Sequence, residues 1–165
     1  MDLLDYTTPD EVRAALGVSD DELQDATLLL PVYSTNLEAE LRDVSVSLLS
    51  AFQTVRGIPE VSRTDAQTWF LQVTSLFATY AVAKQLCTSL PMFSPKEITD
   101  GKASVVRFSA DPYQATIARI EEQYRVNQGR LKAALDAVGT TPGTLTTTAR
   151  VLFSSARGVD PVTGV

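Results

Sequence analysis

Three observations predict a mainly α protein: a helical bundle of about four helices with a small β-hairpin and an extended C-terminal tail. Apolar residues recur at spacings of three and four through most of residues 9–138. Capping-box sequences stand where helices should start. The pattern then stops, and Gly139 to Val165 reads GTTPGTLTTTARVLFSSARGVDPVTGV. This predicts a helical-bundle domain over 1–138, a hairpin insertion at about 95–109, and a docking tail over 139–165.

The first capping box is Thr8-Pro-Asp-Glu11, with Thr at the N-cap, Pro at N1 and Glu at N3. It predicts a short helix from Pro9 to Leu16, stopped by Gly17. Ser19-Asp-Asp-Glu22 repeats the device and predicts a second helix from Asp20. Pro31 should kink or break that helix, because proline removes a backbone donor. Beyond it, Leu37, Leu41, Val44, Leu48, Phe52 and Val55 form one apolar helical stripe, ended by Gly57-Ile-Pro59.

Thr64-Asp-Ala-Gln67 opens the third helix, expected from Asp65 to Ser89. Trp69, Val73, Leu76, Phe77, Tyr80, Ala83 and Cys87 are expected on its buried face. The fourth helix is expected from Pro112 to Val138, with a seam at Tyr113, Ile117, Ile120, Tyr124, Asn127, Leu131, Ala134 and Val138. Asn127 on that seam is either exposed or fixes register against a partner helix. Gly129 loosens the helix or admits close packing. Between these helices, Asp100-Gly101 is a hairpin-turn signal, and Ala103 to Phe108 has strand propensity.

Composition narrows the function. The chain has 165 residues, 44% hydrophobic and 21% charged, which suffices for one folded domain with a core. Residues 1–60 carry twelve acidic and three basic side chains. Such a surface repels nucleic-acid phosphate and anionic membranes. There is no His and only one Cys. That removes the commonest general base and metal ligand, His–Cys zinc sites and an intrachain disulfide. No P-loop, Gly-x-Ser-x-Gly, Gly-x-Gly-x-x-Gly or Ser-x-x-Lys pattern occurs. The carboxylate pairs Glu38/Glu40, Glu121/Glu122 and Asp20/Asp21 read as solvated helix faces, and Cys87 as a small core residue. We therefore expect no enzyme, no catalytic or metal-ligating residue and no cofactor. The acidic N-terminus is unlike a signal peptide, and no apolar run reaches the ~20 residues of a membrane span. Synthesis in the cytoplasm is expected.

Glu11 to Leu23 has the rhythm of a helix-turn-helix. Its second helix would present Asp20, Asp21 and Glu22 to DNA, which argues for a structural corner instead. In the tail, Val151, Leu152 and Phe153 form a compact apolar group bracketed by Arg150 and Arg157. This segment is either a solvated end or a docking strand whose arginines pair with acids on a partner.

The whole pattern resembles the head–tail adaptor (connector) proteins of tailed bacteriophages. The likeness rests on Tyr6 to Leu23 (YTTPDEVRAALGVSDDEL), the long helices that follow, Ile98 to Phe108 (ITDGKASVVRF), the helix holding Arg119 to Arg125 (RIEEQYR) and the extended tail. The resemblance implies a virion protein of the neck: a helical-bundle subunit in a homo-oligomeric, dodecameric ring beneath the portal protein. Such a ring continues the DNA channel, without sequence-specific binding, towards a downstream stopper or tail protein. It implies that Arg150, Val151, Leu152, Phe153 and Arg157 dock on the portal. Asp100, Gly101, Val105, Arg107 and Phe108 are expected to contact a ring neighbour or the downstream protein. The alternatives are another neck or tail component, such as a tail terminator, or a helix-turn-helix DNA-binding regulator.

Overall fold

A computed structural model describes residues 2–87, 97–100, 103–106 and 111–139. These residues are mainly helical. In chain order the α-helices among them are α1 (Pro9–Leu16), α2 (Asp25–Leu28), α3 (Pro31–Val44), α4 (Leu48–Arg56), α5 (Asp65–Cys87) and α6 (Asp111–Gly139). Two short strands, β1 (Glu97–Asp100) and β2 (Ala103–Val106), pair antiparallel with Ile98 opposite Val105. Asp100 is the last residue of β1 and stands opposite Ala103. The tail, residues 140–165, lies outside the described residues.

The first and third capping boxes form as the sequence predicts. Thr8 N–H donates to Glu11 Oε2 at 2.9 Å, and Glu11 N–H donates back to Thr8 Oγ1 at 3.3 Å. Thr64 and Gln67 make the same reciprocal pair at 3.0 and 3.3 Å. Each pair satisfies two donors that a helix start leaves open. Gly17 ends α1 at φ 74°, ψ 34°, a left-handed conformation that glycine adopts without a Cβ clash.

The expected second helix is corrected at its start, since no helix begins at Asp20, and at Ser45, where the stripe expected on one helix is divided. Asp20 to Gly57 holds α2, α3 and α4, and the expected break does fall at Pro31. The Ser19 box closes a single turn, with Ser19 N–H donating to Glu22 Oε2 at 2.9 Å and Leu23 N–H to the Ser19 carbonyl. No helix follows from that turn, and the Leu23 carbonyl accepts from Arg13 Nη1 at 3.1 Å. Thr27 N–H instead donates to the Gln24 carbonyl. At Leu30 the backbone is extended, ψ 136°, as expected of a residue before proline, and α3 restarts with Pro31 at N1.

A second break, at Ser45, has no proline. Ser45 is extended at φ −163°, ψ 136°. Its Oγ accepts from Ser47 N–H at 3.3 Å and lies 3.0 Å from Ser47 Oγ. Serine side chains here offer the backbone an alternative to the helix ladder. The apolar stripe survives the break, since Leu37, Leu41, Val44, Leu48, Phe52 and Val55 are all buried.

Helix α5 is the axis of the molecule and packs against α1, α3, α4 and α6. It buries Phe70, Val73, Phe77, Ala78, Ala81, Val82, Ala83, Leu86 and Cys87, a set that goes nearly round the helix, as a central helix requires. The predicted face is partly corrected: Val73, Phe77, Ala83 and Cys87 are buried, but Trp69 is 51% and Leu76 39% exposed. Helix α6 keeps its seam, with Ile120, Asn127, Leu131 and Ala134 buried. Gly129 is exposed, and a Cβ there would meet open space, so close packing is not its role. Phe77 and Tyr124 meet with ring centroids 5.2 Å apart, and the Cys87 thiol lies within the field of Arg119 and Glu121. The two helices therefore run antiparallel.

Candidate functional site

The sequence-predicted contact residues fall mostly beyond what the structure describes. Arg150, Val151, Leu152, Phe153 and Arg157 lie outside the described residues, as do Gly101, Arg107 and Phe108. Asp100 closes β1, and Val105 lies in β2.

A surface that the sequence did not single out lies between α1 and α5. Glu11, Ala14 and Ala15 form one wall, and Gln72, Ser75, Leu76, Thr79 and Tyr80 form the other, around about 560 Å³. The small alanines of α1 leave the groove open. Trp69 continues the same face of α5 one turn before Gln72. Glu11 is the charged group in the lining, and its carboxylate already caps α1. The signal was present in the spacing of Trp69, Leu76 and Tyr80. It was read as core because their helix has apolar residues on nearly every side.

The N-terminal segment is strapped across the neighbouring surface. Tyr6 is buried and stacks on Phe52 at 4.9 Å, and Thr7 Oγ1 meets Thr79 Oγ1 at 2.7 Å. Burial first, then the facing Glu38 and Asp5 carboxylates, pushes the Tyr6 phenol up to about 12. The Asp5 carboxylate pairs with Arg56 at 2.7 Å, and the hydrogen bond from Arg56 holds it below the usual carboxylate range.

The helix-turn-helix segment is a clamped corner. Arg13 is 8% exposed. It reaches the Leu23 carbonyl, Asp25 Oδ1 at 2.5 Å and Asp10 Oδ1 at 2.6 Å. Those hydrogen bonds, Asp25 first, raise its pKa further. Helix α2 has four residues, about one turn, whereas a recognition helix must lay several side chains along a groove.

A second polar group sits between α3, α5 and α6. Gln85 Nε2 donates to Glu40 Oε1 at 3.3 Å, and Asn36 Nδ2 donates to Gln85 Oε1 at 3.4 Å. Lys84 Nζ lies 4.0 Å from the centre of the Tyr124 ring. Burial, then the Glu40 carboxylate, pushes the Tyr124 phenol up to about 12. Asn127 is fully buried; its Oδ1 accepts from Arg130 Nη1 at 3.3 Å, and its Nδ2 has no hydrogen-bond partner among the described residues.

The Cys87 thiol is buried and pushed up to about 11, mainly by desolvation, so it is not a thiolate near neutrality. Glu38–Arg42 and Glu121–Arg125 are surface pairs one helical turn apart. Among the described residues, no group of three His, Cys, Asp or Glu could hold a metal ion. No helix among them is long and apolar enough to cross a membrane. The chain matches no family model, no curated protein and no solved structure.

Proposed function

We propose that this chain is a structural, non-catalytic subunit of a phage neck, forming a ring that joins the portal to the tail and continues the DNA channel. The supporting observation is a helical bundle that leaves large apolar side chains at its surface. Leu29, Leu30, Val32 and Val46 are each more than a third exposed. A ring subunit needs such lateral faces, because each copy offers one surface to the next. In this reading Arg150, Val151, Leu152, Phe153 and Arg157 dock on the portal, and the hairpin region from Asp100 to Phe108 meets a ring neighbour or the downstream protein. DNA passes without specific binding, since the twelve carboxylates of residues 1–60 repel phosphate.

The test is binding to the cognate portal by the full chain and by a chain ending at Gly139. The reading expects the shortened chain to keep its helical circular-dichroism spectrum and lose portal binding. Retained binding would remove the tail from the reading.

A further inference from the structure

We propose that the groove between α1 and α5 is the resting site of the chain's own Arg150–Arg157 segment, and that Trp69 is covered by it. The groove offers Ala14, Ala15, Leu76 and Tyr80 as apolar surface, with the Glu11 carboxylate at its wall. Trp69, 51% exposed, extends that surface by one turn. Val151, Leu152 and Phe153 supply a matching apolar run, and Arg150 and Arg157 supply the opposite charge on either side of it. The charge match extends beyond the groove, because residues 1–60 are strongly acidic.

Chain length and starting point favour the same copy. Tyr124 meets Phe77, and the two helices run antiparallel. From Tyr124 to Gly139 is about 22 Å along α6, and from Phe77 back to Asp65 is about 18 Å along α5. Gly139 therefore leaves α6 at the end of α5 that carries Trp69. Val151 is twelve residues further on, a reach of up to about 40 Å, and the groove from Gln72 to Tyr80 is about 12 Å long. An intramolecular partner also has a high effective concentration, which favours it over another copy. This inference stands apart from the portal reading. If both hold, the portal takes over a segment that the free subunit keeps on its own surface.

Trp69 is the only tryptophan, so its fluorescence reports the groove directly. The experiment compares the full-length protein with full-length V151D/F153D, without portal, over a range of protein concentrations. The inference expects blue-shifted Trp69 emission and weak acrylamide quenching in the unaltered chain, independent of concentration. It expects a red shift and stronger quenching in the variant, with an unchanged far-ultraviolet spectrum. Identical emission and quenching in both proteins would overturn it. A shift that appears only as concentration rises would overturn it too, by assigning the groove to a second copy. Portal binding is read separately, so either idea can fail alone.

Discussion

The α1–α2 corner and the α5–α6 pair are held by different forces. The corner depends on directional contacts: one arginine, Arg13, ties together Asp10, the Leu23 carbonyl and Asp25. The α5–α6 pair depends on area, with Phe70, Val73, Phe77, Ile120 and Leu131 all but fully buried, each contributing about 1.5–3 kcal/mol. Polar groups thus fix where the chain turns, and apolar groups fix that the bundle holds. The two regions should break differently.

The largest expected effect is in the apolar pair. Phe77→Ala removes a fully buried ring and its contact with Tyr124. It should cost about 3–5 kcal/mol, read as a lower urea midpoint for the whole bundle. Next is Arg13→Met, which keeps much of the stem but removes every hydrogen bond of the guanidinium. It should lower the global midpoint less, while amide exchange and proteolysis rise between Gly17 and Asp25. A global loss equal to that of Phe77→Ala would erase the contrast between the regions.

Asn127 sharpens the comparison from the other side, because it is a polar group inside the apolar pair. Its Nδ2 is buried without a partner among the described residues. Asn127→Leu should therefore raise stability by about 1 kcal/mol, measured by urea unfolding. A loss would show that Asn127 fixes the alignment of the helices more strongly than it burdens them.

The smallest effect is pH-dependent. Arg56 lowers the folded pKa of Asp5, so the pair stabilises the fold above the ordinary carboxylate value of about 3.9. That contribution disappears as pH falls through the lower folded value. Asp5→Asn should be slightly less stable than the parent at neutral pH and equal to it at the lowest pH. The gap should shrink with salt, since both partners are partly exposed. The check is thermal unfolding across pH with and without added salt.

Helix starts with a reciprocal side-chain bond were legible in the sequence, because Thr8/Glu11 and Thr64/Gln67 carry their own geometry. The α6 seam was legible because its positions from Ile117 to Val138 alternate by three and four, all apolar except Asn127. The middle of the chain was harder. The Ser45 break uses residues that are tolerated in helices, and only the local Ser45–Ser47 hydrogen bonds reveal it. The Asp20 turn ends at Leu23, whose carbonyl is bound by Arg13, ten residues earlier. No local pattern contains that contact. The α1–α5 groove was hidden for a further reason: on a helix as apolar as α5, spacing does not say which side a neighbour leaves uncovered. Trp69 and Leu76 became candidates only once the small side chains of Ala14 and Ala15 stood opposite.

The neck-ring reading is tested most directly by the mass of the assembled species, from sedimentation or native mass spectrometry, with and without the cognate portal. A ring-sized species carrying many copies per portal assembly is the predicted result. A chain that stays monomeric and never joins the portal at any concentration would contradict it.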